Sequence, residues 1–240
     1  MEKEGLYKKF AEYYDKIYFI KDYKKEANFI HKLIKKYKKN RGGNLLDVCC
    51  GTAEHEKYLK GYAIYGIDKN KEMIKIAKKK IKGAKFKVME MRKIRLRKKF
   101  DVILCLFSSI NYNKNREELK ITLKSFYNHL NKGGLVIFDI GFTELTQSRI
   151  DVNTTKNEEN IIRISKTELN KDKIIHKSLF LVEKGNKSFS FVDVHVLSKF
   201  KVQDIIKIME NLGFNVQIYG GFKFRKFKNS SRRPVIVGIK

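Results

Sequence analysis

The sequence predicts an α/β protein: a doubly wound, mostly parallel sheet carrying an inserted antiparallel β segment. Three observations predict it. Short apolar runs alternate with amphipathic helical text through the first 140 residues. Three consecutive strand-like runs between about 160 and 198 then break that alternation. A helix and a final strand pair restore it. At 240 residues, with 42% hydrophobic and 12% aromatic side chains, the chain suits a single domain spanning 1–240.

Residues 1–40 read as an N-terminal helical cap, with Phe29, Ile30, Leu33, Ile34 and Tyr37 on one stripe. Arg41-Gly42-Gly43 stops it, and Asn44 to Cys49 suits a buried strand. Helical text runs from Ala53 to about Lys60, and Tyr62 to Ile67 is a second strand ending at Asp68. Met73, Ile74, Ala77 and Ile81 share one side of a helix over 70–81. Ala84 to Val88 is a third strand; Asp101 to Phe107 is continuously apolar and therefore central. Leu119, Leu123, Phe126 and Leu130 mark a helix, with His129 capping carbonyls at its end. Lys132-Gly133-Gly134 stops this helix before a fifth strand, Leu135 to Ile140. Asp151 to Glu159 is polar enough for a loop. The antiparallel meander, 156–198, follows as a lid, turning at Asn170-Lys171-Asp172 and Lys184-Gly185-Asn186. Val202, Ile205, Ile206, Met209 and Leu212 form the last helix, stopped by Gly213; Phe214 to Tyr219 and Val235 to Ile239 pair as strands.

The charge is lopsided: 54 Lys and Arg against 26 Asp and Glu, a net +28. That field attracts polyanions without selecting among them. Only ten of these cations are Arg, the residue suited to bidentate phosphate contacts. The densest stretch, Arg92 to Lys99, lacks the interleaved aromatics of a base-stacking platform, so a solvated basic surface is the favoured reading over nucleic-acid binding. No apolar run approaches the roughly 18 residues of a membrane span, and Met1 to Phe10 has no signal core. Cys49, Cys50 and Cys105 form neither a disulfide framework nor a zinc spacing. A reduced, cytoplasmic protein without a metal is expected.

The informative segment is Leu46-Asp47-Val48-Cys49-Cys50-Gly51-Thr52-Ala53-Glu54-His55. A buried strand ends in a small-residue turn where a ligand can touch the backbone. Ligands of open parallel sheets sit at such carboxyl ends. Gly66-Ile67-Asp68 closes the second strand, 21 residues after Asp47, with a carboxylate able to accept both hydroxyls of a ribose. These features fit NAD or S-adenosylmethionine. Three details favour the second. Gly51-Thr52-Ala53 has one of the glycines that a pyrophosphate needs. Asp47 would repel a pyrophosphate but hold a methionine ammonium. The chain ends in a helix and strand pair rather than a second mononucleotide half.

Together these motifs resemble the class I S-adenosylmethionine-dependent methyltransferases. The likeness extends over Tyr14-Asp15-Lys16-Ile17-Tyr18, Phe100-Asp101-Val102-Ile103, Phe107-Ser108-Ser109-Ile110-Asn111-Tyr112, Leu130 to Gly134, Phe191 to His195 and Tyr219-Gly220-Gly221. Within that class the chain is similar to the N,N-dimethyltransferases of nucleotide-linked amino sugars. The resemblance implies a seven-stranded Rossmann-like sheet in order 3-2-1-4-5-7-6, its last-but-one pair antiparallel. It implies S-adenosyl-L-methionine as cofactor, held by Tyr18, Tyr23, Asp47, Cys50, Gly51, Ala53, His55, Asp68, Lys69, Glu90, Met91 and Phe107. Asp68 would hold the ribose, Glu90 and Met91 the adenine, and Cys50, Gly51 and Ala53 the methionine tail. Ala53 replaces the family's usual Gly, and Glu90 its usual Asp.

Methyl transfer is an in-line displacement, in which alignment alone supplies about 7–11 kcal/mol. His195, beside Asp193 on an alternating strand, is the first candidate to take the acceptor's proton, with Tyr18 as the other catalytic candidate. Asn111 and Tyr112 are candidate substrate contacts. The acceptor expected is a small amine, an anionic nucleotide sugar among the possibilities. The rival reading is RNA methylation, and a homodimer paired through the meander's edge is compatible with either.

Overall fold

The computed structural model describes residues 5–38, 42–141, 149–156 and 160–240. Helices α1 (Tyr14–Ile17) and α2 (Tyr23–Tyr37) lead into β1 (Asn44–Val48) and β2 (Ala63–Asp68). Then come α3 (Lys71–Lys80), β3 (Lys85–Val88), β4 (Phe100–Cys105), α4 (Arg116–His129) and β5 (Leu130–Asp139). The insertion holds β6 (Arg149–Lys156), β7 (Asn160–Asn170), β8 (Lys173–Lys184) and β9 (Lys187–Ser198). Helix α5 (Val202–Asn211), β10 (Asn215–Tyr219) and β11 (Val235–Ile239) complete the chain.

The main sheet has seven strands in the order β10-β11-β5-β4-β1-β2-β3. Strands β1 to β5 are parallel, and β11 runs antiparallel to both β5 and β10. Successive side chains point to opposite faces, so each strand feeds two cores. Leu45, Val102, Leu104, Leu135 and Ile137 pack with the α2 stripe of Phe29, Ile30, Leu33 and Ile34. Leu46, Ile103, Cys105 and Val136 pack on the other face with α4 and α5. Each of these fully buried Leu, Ile or Phe side chains contributes about 1.5–3 kcal/mol of transfer free energy. Two helix starts are capped by an Asx oxygen: Asp22 accepts from Lys25 N at 2.8 Å and Asn115 from Glu118 N at 2.9 Å. His129 Nδ1 lies 2.8 Å from the Ser125 carbonyl at the end of α4.

Four expectations are corrected. Residues 53–60 form only a 3₁₀ turn, Glu56–Tyr58. Ala53, Glu56 and Leu59 are all buried, and a spacing of three suits a 3₁₀ turn rather than an α-helix. The inserted sheet has four strands and begins at Arg149, not 156, because β6 pairs with β7 from Arg149↔Thr167 to Lys156↔Asn160. The polar stretch read as a loop is therefore a strand as far as Lys156; 157–159 lie outside the described residues. The first forty residues do not act as one cap. Helix α2 belongs to the main core, whereas Leu6, Ala11, Tyr13, Tyr14 and Ile17 share a cluster with Ile161, Phe180, Val182 and Phe191 of the inserted sheet. Finally, β5 starts at Leu130: Phe100 opposes Leu130 but Val102 opposes Leu135, so the Gly133 and Gly134 segment is a bulge within the strand.

Among the described residues no helix is long and apolar enough to cross a membrane, and no cluster of His, Cys, Asp or Glu is arranged to hold a metal.

Candidate active site

Two strained turns build the site at the carboxyl ends of the parallel strands. After β1 the chain takes left-handed conformations at Cys49 (φ 61°), Gly51 (φ 56°) and Ala53 (φ 64°). After β4 it does so at Phe107 (φ 57°) and Ser108 (φ 60°). Each such non-glycine residue costs roughly 1–2 kcal/mol, so something must hold it. The second turn is held by Asp139, whose Oδ2 accepts from Ser108 N and Oγ, both at 3.0 Å. The first is held by Asp68, whose Oδ2 accepts from Gly51 N at 3.1 Å. Asp68 Oδ1 accepts from Asn70 N at 2.8 Å. A Cβ at Gly51 would meet nothing within 4 Å, so the turn opens there onto free space, whereas one at Gly66 would strike Phe86 and Cys50.

That space belongs to a cavity lined by the segments that follow β1, β2, β3 and β4. Of the expected residues, Tyr23, Asp47, Cys50, Gly51, His55, Asp68, Lys69, Glu90, Met91, Phe107 and Tyr112 line it. Four others do not. Ala53, itself left-handed, is buried in the apolar cluster of Ile74, Ala77 and Phe86. Asn111 is wholly buried: its carboxamide binds the Ser198 carbonyl (2.8 Å) and accepts from Gly141 N (3.1 Å), tying β5 to the insertion. It has no surface to offer a substrate. Tyr18 stands behind the wall, its ring 5.2 Å from Phe107 and 5.5 Å below the Arg163 guanidinium. His195 lies one hydrogen bond behind it, its Nδ1 2.8 Å from the Tyr112 hydroxyl and its Nε2 2.6 Å from Asp193 Oδ2.

Sequence reasoning missed Tyr7 and Tyr14 on the wall, and the Tyr7 hydroxyl is 3.0 Å from that of Tyr112. Aromatic spacing in the N-terminal segment was the available signal. It also missed the ionic cluster beneath the cavity. Glu26 meets His55 Nε2 (2.8 Å), Arg233 Nη1 (2.9 Å) and Lys21, and Arg233 also grips Asp139 Oδ2 through Nε (3.0 Å) and Nη2 (2.9 Å). Nothing local in the sequence marks a partnership spanning such separations.

The electrostatics follow from burial. Burial raises the Asp47 carboxyl well above the carboxylate range, and Glu56 beside it adds to that. Burial likewise raises Asp68, although the Asn70 and Gly51 N–H groups pull it back. Burial lowers His55, so a neutral imidazole donates Nε2–H to Glu26 and is not free to meet a ligand with that atom. Tyr7, Tyr14 and Tyr23 are all raised, chiefly by burial, and stay phenols. Glu90 is chelated by Arg92 Nε at 2.8 and 2.9 Å while still lining the cavity. Part of the dense basic stretch is likewise spent on internal partners: Arg92 also binds Glu118, Lys98 reaches the Tyr65 hydroxyl (2.8 Å), and Lys99 reaches the Asn128 carbonyl.

A family model described as a methyltransferase domain matches residues 45–134. The chain is 30% identical, over 95% of its length and 97% of the relative's, to the dTDP-3-amino-3,4,6-trideoxy-alpha-D-glucopyranose N,N-dimethyltransferase of Streptomyces venezuelae. Among solved structures, Streptomyces venezuelae DesVI superposes with a TM-score of 0.85 at 26% identity, covering 95% of this chain and 97% of that one. An S-adenosylmethionine-dependent methyltransferase from Clostridium acetobutylicum ATCC 824 superposes at 0.84 over 96% and 97%; at 24% identity that likeness speaks to the fold.

Proposed function

We propose that this chain, which belongs to the class I S-adenosylmethionine-dependent methyltransferases, methylates an amine nitrogen of a small amino sugar carried on a nucleotide. Its cofactor, S-adenosylmethionine, supplies an electrophilic methyl group on a positively charged sulfur. The residues present suit that group. Asp47 Oδ1 is buried, lines the cavity and has no hydrogen-bond partner, as an acceptor reserved for an ammonium would be. Asp68 Oδ2, which accepts only from Gly51 N, has a lone pair to spare for a ribose hydroxyl, whereas Oδ1 already accepts from Asn70 N and Nδ2. Gly51 leaves room for the chain between them, and Met91 and Phe107 offer apolar walls.

The observation that carries the amine reading is a hydrogen-bonded relay from the cavity wall into the inserted sheet. It runs through hydrogen bonds from Tyr7 to Tyr112 and on to His195 Nδ1, and His195 Nε2 lies 2.6 Å from Asp193 Oδ2 in a close contact. The carboxylate beside Nε2 favours the tautomer with its proton there, in which Nδ1 accepts from the Tyr112 hydroxyl. An attacking amine becomes cationic and must shed a proton. Tyr112 takes that proton on its oxygen while passing its own to His195, and the imidazolium rests against Asp193. In this reading Tyr112 is the catalytic residue and His195 a positioning one. Tyr18 supports Phe107 from behind. Lys69 on the cavity wall supplies positive charge for a diphosphate.

The test is transfer of a tritiated methyl group to dTDP-linked amino sugars, simple amines and tRNA. Label is expected in the nucleotide amino sugar. His195→Asn should lower kcat by about 10²-fold at neutral pH while KM stays within about twofold. Label appearing in tRNA alone would overturn the reading.

A further inference from the structure

The turn after β1 encloses a feature that the methyl-transfer reading leaves unused. Glu56 is 4% exposed and Asp47 2% exposed; Asp47 lines the cavity, and Glu56, which does not, is close enough for the two carboxyl groups to interact directly. Neither Glu56 oxygen has a hydrogen-bond donor, and neither does Asp47 Oδ1. Two carboxylates are both acceptors, so such a contact is stable only if a proton lies between them.

We infer that Asp47 and Glu56 hold one shared proton before the cofactor binds, and release it to solvent when the cofactor's ammonium docks on Asp47. The O–H bond of the carboxyl pair breaks, the proton passes to buffer, and the ammonium takes over the neutralising role. The inference rests on the cofactor reading above and deepens it: cofactor uptake becomes proton-coupled, through a residue that need not touch the cofactor.

The surroundings support this. Asp68 faces the pair from β2, and Cys49, Cys50 and Cys105 are the neighbouring thiols. None of them brings a positive charge. Glu54 adds negative charge. From α3, Lys80 is the cation that faces Glu56, and it is held by Asp15 (2.5 Å) and Glu54. Burial lifts Glu56 to about 7, and neither the contact with Asp47 nor Lys80 undoes that. The proton is therefore present in the neutral range and removable there.

The experiment is titration calorimetry of S-adenosylhomocysteine in buffers of different ionisation enthalpy, between about pH 5.5 and about pH 7. Two companions are needed: methylthioadenosine, which lacks the ammonium, and the Glu56→Gln variant, whose amide can donate to Asp47. Wild-type protein should release close to one proton per S-adenosylhomocysteine, and affinity should rise by up to about tenfold per pH unit over that range. Methylthioadenosine should bind without release, which tests the pair in unaltered protein. Glu56→Gln should bind S-adenosylhomocysteine with a flat pH dependence. Binding without proton release, or equal release with methylthioadenosine, would overturn the shared proton while leaving the cofactor reading intact. Failure of both nucleosides to bind would overturn the cofactor reading and the inference with it.

Discussion

Glu26 and Glu56 flank the same histidine, one by hydrogen bond and one by sequence, and both are buried. Burial pushes each carboxyl upward, yet they end far apart. Glu26 is brought down to about 2, because the His55 hydrogen bond and the charges of Arg233 and Lys21 outweigh burial. Glu56 goes up to about 7, because the contact with Asp47 and the distant Lys80 do not. The difference lies in the supply of donors. The Glu26 cluster is closed in charge: each carboxylate has a cation and each cation a carboxylate, although Asp139 Oδ1 receives no hydrogen bond. The Asp47–Glu56 pair is open on its cavity side. A closed buried network serves the fold; an open one beside a cavity waits for a ligand.

The hardest way to break that contrast is to remove the cation common to Glu26 and Asp139. Arg233→Met leaves two buried carboxylates short of their partner. Urea unfolding at neutral pH should show a loss of about 3 kcal/mol or more. It should also loosen the Phe107–Ser108 turn, since Asp139 anchors it. A loss under about 1 kcal/mol would mean that the cluster is not the closed structural unit described.

The two glutamates themselves give the next largest effect, and the signs oppose. Glu26 is depressed when folded, so its contribution is present above the unfolded value of about 4.3 and is lost as pH falls toward about 2. Glu56 is raised when folded, so its contribution is present below about 4.3 and is lost as pH rises through about 7. Glu26→Gln should therefore be less stable than wild type at pH 7, by about 3 kcal/mol, with the gap closing in acid. Glu56→Gln should gain on wild type as pH rises from about 5 to about 8, by about 1–3 kcal/mol. Denaturant titrations across pH would read both slopes. Parallel slopes for the two variants would break the comparison.

The sequence carried the sheet well because its signals are local. The runs at Leu45–Val48, Ile64–Asp68 and Val102–Leu106 state their own burial, and Asp47, Gly51 and Asp68 follow from where those runs stop. The period of two placed Asp193 and His195 on one side of a strand, and they do meet. What could not be read were partnerships across long separations. Tyr112 and His195 are 83 residues apart, and Arg233 and Glu26 are 207 apart. Arg233 sits in a basic chain where charge has no local meaning. Asn111 was over-read for a related reason: a polar residue after β4 looks like a ligand until the strand ends that need its carboxamide are in place. The four-stranded insertion was undercounted because β6 is polar enough to pass for a loop.

The smallest effect expected sharpens the contrast most, because it separates folding from binding at one atom. The Tyr23 hydroxyl is buried on the cavity wall without a hydrogen-bond partner, while its ring packs on His55 at 4.9 Å and under Lys21 at 4.3 Å. A structural hydroxyl would be bonded, and losing it would cost about 1 kcal/mol or more. An unbonded one contributes nothing to the fold and already incurs its desolvation. Tyr23→Phe should thus leave urea stability within about 0.5 kcal/mol of wild type, or raise it slightly. If the hydroxyl is held for a ligand, affinity for S-adenosylhomocysteine should fall by about threefold to tenfold, one ordinary hydrogen bond. Stability lost without any change in affinity would put Tyr23 with the closed cluster, and the unpartnered atom would no longer mark where the cofactor binds.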